Sequence, residues 1–232
     1  MQELSTINII FYIIILLLSV VIHEVAHGLA ARKLGDRTAE HEGRLTLNPI
    51  PHIDPVGTII LPLLLVISGS PFLVGWAKPV PYNPYNFRDE AWIRKWGEAF
   101  VAFAGPLSNI VIFLVFGLFL RFFESMLIVM PFLSALIPAV PLIQMIVLVN
   151  IVLVVFNMVP LPPLDGSKIF QAFVPLKYED DYERFMNYGP YILLGLLIVG
   201  RSLSFDPLGL WISTIMSFVL SAFSFVGAVL PI

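Results

Sequence analysis

Apolar residues run almost unbroken through five stretches of the chain, at about 7–31, 99–120, 140–159, 187–200 with its flanks, and 208–230. An α-helix needs roughly 17 to 25 such residues to cross the hydrocarbon core of a bilayer, so the pattern predicts an all-α polytopic membrane protein. Two further runs are interrupted. Val56–Leu73 contains Pro62, Gly69 and Pro71, and Met126–Val140 contains Pro131 and Pro138. Prolines break the helical ladder, which makes each run a short span, a re-entrant piece or a loop. The count expected is about five to six transmembrane helices. Polar residues gather at 35–55 and 74–97, and no internal repeat, low-complexity tract or second soluble domain is visible. Residues 1–232 are therefore expected to form one membrane-embedded domain, with a core over about 6–170 and C-terminal helices over about 185–230.

Composition agrees with the pattern. The chain is 58% hydrophobic and 12% charged, with a mean hydropathy of +0.91, outside the usual range of soluble domains. The net charge of −3 and the absence of a basic stripe interleaved with aromatics exclude nucleic-acid binding. With no cysteine, disulfide and thiolate chemistry are excluded too. MQELST has no basic character and no small-residue cleavage site follows the first apolar run, so that run is expected to stay in the mature chain.

Basic residues orient the spans, because Lys and Arg near span ends collect on the cytoplasmic side. Arg32, Lys33, Arg37 and Arg44 follow the first span and nothing basic precedes it, so its C-terminal end should be cytoplasmic. If neither interrupted run crosses, only Arg121 and Arg201 of the 13 Lys and Arg residues fall outside. If both cross, the asymmetry largely disappears. The first layout is preferred, with 56–73 re-entrant or dipping into the membrane.

Against this background VVIHEVAHGLAARKLGD, residues 20–36, is anomalous. His23, Glu24 and His27 match H-E-x-x-H, whose i, i+4 spacing puts both imidazoles on one helix face to bind zinc. Glu24 lies beside that face, where a carboxylate can take a proton from water at the metal. The nine residues from His23 to Arg32 span about 13 Å of helix, which sets the motif inside the cytoplasmic leaflet. An ionisable group at that depth costs several kcal/mol unless paired, hydrated or metal-bound.

A catalytic zinc needs a third protein ligand and an open position. The candidates are His41, Glu42, His52, Asp54 and Asp165. In FNMVPLPPLDGSKIF, Pro160, Pro162 and Pro163 end an apolar span just before Asp165, so the acid can turn inward at membrane depth. In the preferred layout this span runs in the same direction as the first, and both motifs reach the same leaflet.

HEVAHGLAARKLGD, GRLTLNP followed by HIDPVGT, GWAKPVP, AGPLSN and FNMVPLPPLDG, in that order, resemble the site-2 protease family of intramembrane zinc metalloproteases. The likeness runs over about 20–170, and no stretch resembles a PDZ or CBS domain. It implies that His23, His27 and Asp165 ligate one catalytic zinc ion with Glu24 as general base. It also implies that Asn109 of AGPLSN lies near the active site, where an amide can donate to a substrate carbonyl or its oxyanion. Asn157 is separated from Pro160 by two residues rather than adjoining a proline, unlike in some relatives. The resemblance further suggests a small β element in LVGWAKPVPYNPYNF that could pair with an unwound substrate.

His41, Glu42, His52 and Asp54 otherwise read as polar turn residues of a structured loop, and KYEDDYER as a solvated loop between spans. Gly105, Gly117 and Gly195 read as sites of close helix packing. The function expected is zinc-dependent cleavage of transmembrane protein substrates within the bilayer, in a multi-pass cell-membrane protein whose active site faces the cytoplasm. A zinc transporter would distribute ligands along several spans towards both faces, and a zinc-stabilised scaffold would close the fourth metal position with another side chain.

Overall fold

The computed structural model describes residues 6–60, 63, 64, 67, 76–199 and 206–222. The first long helix, α1 (Thr6–Leu34), ends at Gly35, whose φ of +118° lets the chain turn sharply. After the short α2 (Thr38–His41), a 3-10 turn at Ile50–His52 and a π-turn at Pro55–Ile60, the chain enters α3 (Ala91–Val129). A 3-10 segment, Pro131–Ala139, then leads into α4 (Val140–Asn157). The remaining helices are α5 (Asp165–Gln171), α6 (Glu179–Val199) and α7 (Pro207–Ala222).

Among the described residues, three segments are long and apolar enough to cross a membrane: Ile9–Leu34, Ala91–Phe123 and Pro131–Asn157. Their outward faces carry Ile10, Ile13, Ile14, Val111 and Val115, all exposed, as expected of side chains that meet lipid. The second interrupted run is no separate crossing. Met126–Val129 finishes α3, and Pro131–Ala139 forms the 3-10 segment that precedes α4. Most of 56–73 lies outside the described residues, as do 200–205 and 223–232.

Contacts fix the helix directions. His27 bonds to Val101 and His23 to Asn109, so α1 and α3 are antiparallel. Asn150 of α4 meets Ser19 of α1, and Asp165, just beyond the end of α4, meets His23 and His27. Hence α1 and α4 run the same way, as the charge pattern requires, and α3 is antiparallel to both.

The long connection between α1 and α3 departs and returns at one place. Arg88 N–H donates to Leu34 O at 2.8 Å, while buried Asp36 accepts from Asn83 N–H at 2.8 Å and Asn86 Nδ2 at 2.9 Å. Whatever path the intervening residues take, the connection makes no net crossing. The β element expected there is not formed among the described residues. Pro79 and Pro81 have no N–H to give a ladder, and neighbouring donors are used elsewhere: Lys78 N–H by His52 O and Val80 N–H by Glu24.

KYEDDYER departs from the loop reading. It is largely exposed, but from Glu179 it forms the start of α6, where Glu179, Asp180 and Asp181 in the first turn complement the helix dipole. Leu193 of α6 and Leu208 of α7 close over Val159, Leu161 and Leu164, covering the bend between α4 and α5.

Candidate metal centre

The i, i+4 spacing stacks His23 and His27 on one face of α1, their rings edge to face with centroids 4.6 Å apart. Asp165 reaches them from the first residue of α5. Pro160, Pro162 and Pro163 end α4 by withdrawing ladder donors, and the turn that follows is tight. At Gly166 a Cβ would collide with the carbonyl oxygens of Met158 and Val159, so only glycine lets α5 start this close to α4.

Asp165 Oδ2 consequently lies 3.0 Å from His23 Nε2 and 3.3 Å from His27 Nε2, and one potential ligand atom from each residue falls within 4.8 Å of the others. Both histidines are buried. Among the described residues this is the one cluster of at least three such groups able to hold a metal.

The second nitrogen of each ring is also held. His27 Nδ1–H donates to Val101 O at 2.7 Å, and His23 Nδ1–H donates to Asn109 Oδ1 at 2.6 Å. Partners of this kind fix the tautomer and orientation of a metal-binding histidine. Asn109 is wholly buried, and its Nδ2 donates to Asn150 Oδ1 at 2.8 Å and towards Ser19 O at 3.4 Å. Glu24 is held by a different part of the chain. Its Oε2 accepts from Val80 N–H at 2.7 Å, in a segment whose Lys78 and Pro79 carbonyls are gripped by buried Arg44.

The family model for peptidase family M50 matches residues 11–200. The chain belongs to peptidase family M50. It is 35% identical over 192 residues to "Putative zinc metalloprotease YwhC" of Bacillus subtilis, covering 81% of this chain and 80% of that one. It is also 26% identical over 183 residues to "Putative zinc metalloprotease Rip2" of Mycolicibacterium smegmatis, covering 78% and 64%. No solved structure matches the chain. M50 membership, with the three apolar helices, makes it a membrane metalloendopeptidase and sets aside the transporter and scaffold readings.

Two features test whether these M50 residues fit a zinc ion. With both Nδ1 atoms donating, the two Nε2 lone pairs and an Asp165 oxygen converge, an arrangement that a divalent cation satisfies. Gly105 supplies the room. A Cβ there would stand within 2.6 Å of His23 Nε2 and closer still to His27 Nε2. The residue read as a helix-packing glycine instead faces the two imidazoles.

The other ligand candidates lie apart. His41 and Glu42 are exposed at the end of α2. His52 is buried in the connection, with Nε2 at 3.0 Å from Thr46 O, and Asp54 Oδ1 accepts from the backbone N–H groups of Val56 and Gly57. Asn157 bonds back to Leu153 O on its own helix. Sequence reasoning missed Val101, Val80 and Asn150. The first two act through backbone atoms and carry no signature; Asn150, an amide inside VLVNIVL, does stand out at lipid depth.

Proposed function

We propose that this M50 peptidase is a zinc-dependent endopeptidase that cuts membrane-embedded segments of other proteins near the cytoplasmic face. The observation that carries the reading is the meeting of His23, His27 and Asp165 between helices apolar enough to span a bilayer. The bias of basic residues towards the connection between α1 and α3 supports the cytoplasmic assignment.

In this mechanism His23 Nε2, His27 Nε2 and one Asp165 oxygen would hold a single zinc ion. When bound, the ion supplies Lewis acidity, which polarises a scissile carbonyl and acidifies water at the site. Glu24 moves the protons. Its Oε2 is oriented by Val80 N–H, which leaves Oε1 to accept a proton from the attacking water and deliver it to the leaving amine. Asn109 serves as a positioning residue in this reading, because its Oδ1 is held by His23 and its Nδ2 by Asn150, with no donor turned towards a substrate.

Water has a route. A cleft of about 850 Å³ opens between the start of α3, α5 and the first turns of α6, lined by Arg94, Glu98, Lys168 and Glu183 among others. Lys168 is one helical turn from Asp165. The polar groups that continue inward from His23 are Asn109, Asn150 and Ser19, amides and a hydroxyl that do not build a second ion site of the kind a transporter needs.

The test is cleavage of a panel of single-span proteins by the purified, zinc-loaded enzyme in lipid vesicles. The native chain should cleave and Glu24→Gln should not, with zinc retained by both. Equal cleavage by the two forms would remove Glu24 from the chemistry, and cleavage confined to extramembrane positions would overturn the intramembrane assignment.

A further inference from the structure

His27 and His23 are held by different kinds of acceptor. Val101 O is a backbone carbonyl and can only accept, so His27 Nδ1 must carry the proton. Asn109 has no such fixed polarity. Turned over, its amide would present Nδ2 to His23, which would then keep its lone pair on Nδ1 and its proton on Nε2. A protonated Nε2 cannot ligate.

The polarity of Asn109 is set one residue further in. Asn150, wholly buried on α4, donates from Nδ2 to Ile146 O at 2.8 Å and to Ser19 Oγ at 3.0 Å. Ile146 O can only accept, so the Asn150 amide has one workable orientation, with Oδ1 facing Asn109. An acceptor there requires the NH₂ end of Asn109, and Ser19 O on the same side requires it too. Asn109 Oδ1 is thereby left for His23.

We propose that Asn150 is a positioning residue of the metal centre, which acts through Asn109 to keep the proton of His23 on Nδ1 and its Nε2 bare for zinc. The relay runs from the backbone of α4 through two amides on neighbouring helices to a ligand on α1. Helix adhesion alone would require hydrogen bonds between these helices without requiring this polarity. The inference rests on the zinc site of the proposed function.

The experiment is a double-mutant cycle read as zinc affinity, measured by competition with a chelator on the full chain in detergent. Loss of an outer partner of a metal-bound histidine typically weakens metal binding about 10- to 100-fold. Asn109→Leu should fall in that range, and Asn150→Leu should weaken zinc about tenfold in the native background and not at all in the Asn109→Leu background. Val147→Ala, from the same buried packing on α4, should lower thermal stability and leave zinc affinity unchanged. Native affinity in Asn150→Leu, a further loss in the double variant, or an equal loss in Val147→Ala would overturn the proposal. Should Asn150→Leu not fold, Asn150→Ala is held to the same outcomes. His23→Ala keeps the two readings separable: if it binds zinc as tightly as the native chain, the metal centre itself fails, independently of Asn150.

Discussion

His23 and Glu24 are neighbours in the chain, yet opposite parts of the molecule hold them. His23 is fastened from within the helix bundle by amide side chains, whereas Glu24 is fastened from outside the spans by one backbone N–H of the connection between α1 and α3. In the proposed mechanism zinc binding and proton transfer thus have separate supports, and damage to one should leave the other standing.

The strongest way to break the comparison is to remove what both halves need. Asp165→Ala should reduce zinc occupancy to background and abolish cleavage, measured by metal analysis and substrate turnover; full occupancy would return His41, His52 or Asp54 to consideration. Next in size, Glu24→Gln should cost about 10²- to 10⁴-fold in turnover, the usual range for a lost general base, with zinc affinity at the native value.

Arg44→Ala sharpens the distinction. It releases the carbonyls of Lys78 and Pro79 and loosens Val80 against Glu24. Turnover should fall about tenfold through misplacement of the base, while chelator competition shows no change in zinc binding. A parallel loss of zinc would show that the two supports are coupled.

The smallest effect concerns the closure of the connection. Burial alone would push the Asp36 carboxyl up, but bonds from Thr38, Asn86 and the backbone N–H of Asn83 outweigh it and hold the group below the ordinary 3.8. A depressed folded pKa contributes stability in full above that ordinary value, and loses it as pH falls through the folded value. Protection from hydrogen exchange at Asn83 and Arg88, taken relative to the intrinsic rate at each pH, should therefore fall below pH 3.8. In Asp36→Asn the lower protection should already be present at neutral pH, by an amount corresponding to about 1.5 kcal/mol, the lower end for a hydrogen bond to a charged group. Protection that ignores acid would mean that Asp36 does not hold the closure.

Lipid makes some of this legible in sequence. A span must be continuously apolar, so α1, α3 and α4 could be read directly, and an ionisable pair at depth announced the site. Asp165 was readable through parity, because spans that run the same way deliver both motifs to one level. The limits of α3 were less legible. AWIRKWGE carries the helix back to Ala91 without an apolar signal, since helix geometry continues past the point where lipid contact ends. Val101 O and Val80 N–H were invisible, because any residue type would supply them. Asn150 was visible as an oddity, but its orientation towards Ile146 O and Asn109 arises only when three helices assemble.

The bare backbone of Gly105 has a practical use. One added methyl would stand closer to both imidazoles than atoms can approach, so the two rings would have to shift from their common focus. In the proposed mechanism Gly105→Ala should therefore lose cleavage by disturbing the metal centre, which would make it a capture form for uncut clients. Intact single-span proteins should co-purify with it from membranes in greater amount than with the native chain, and their identities would name what this peptidase cuts.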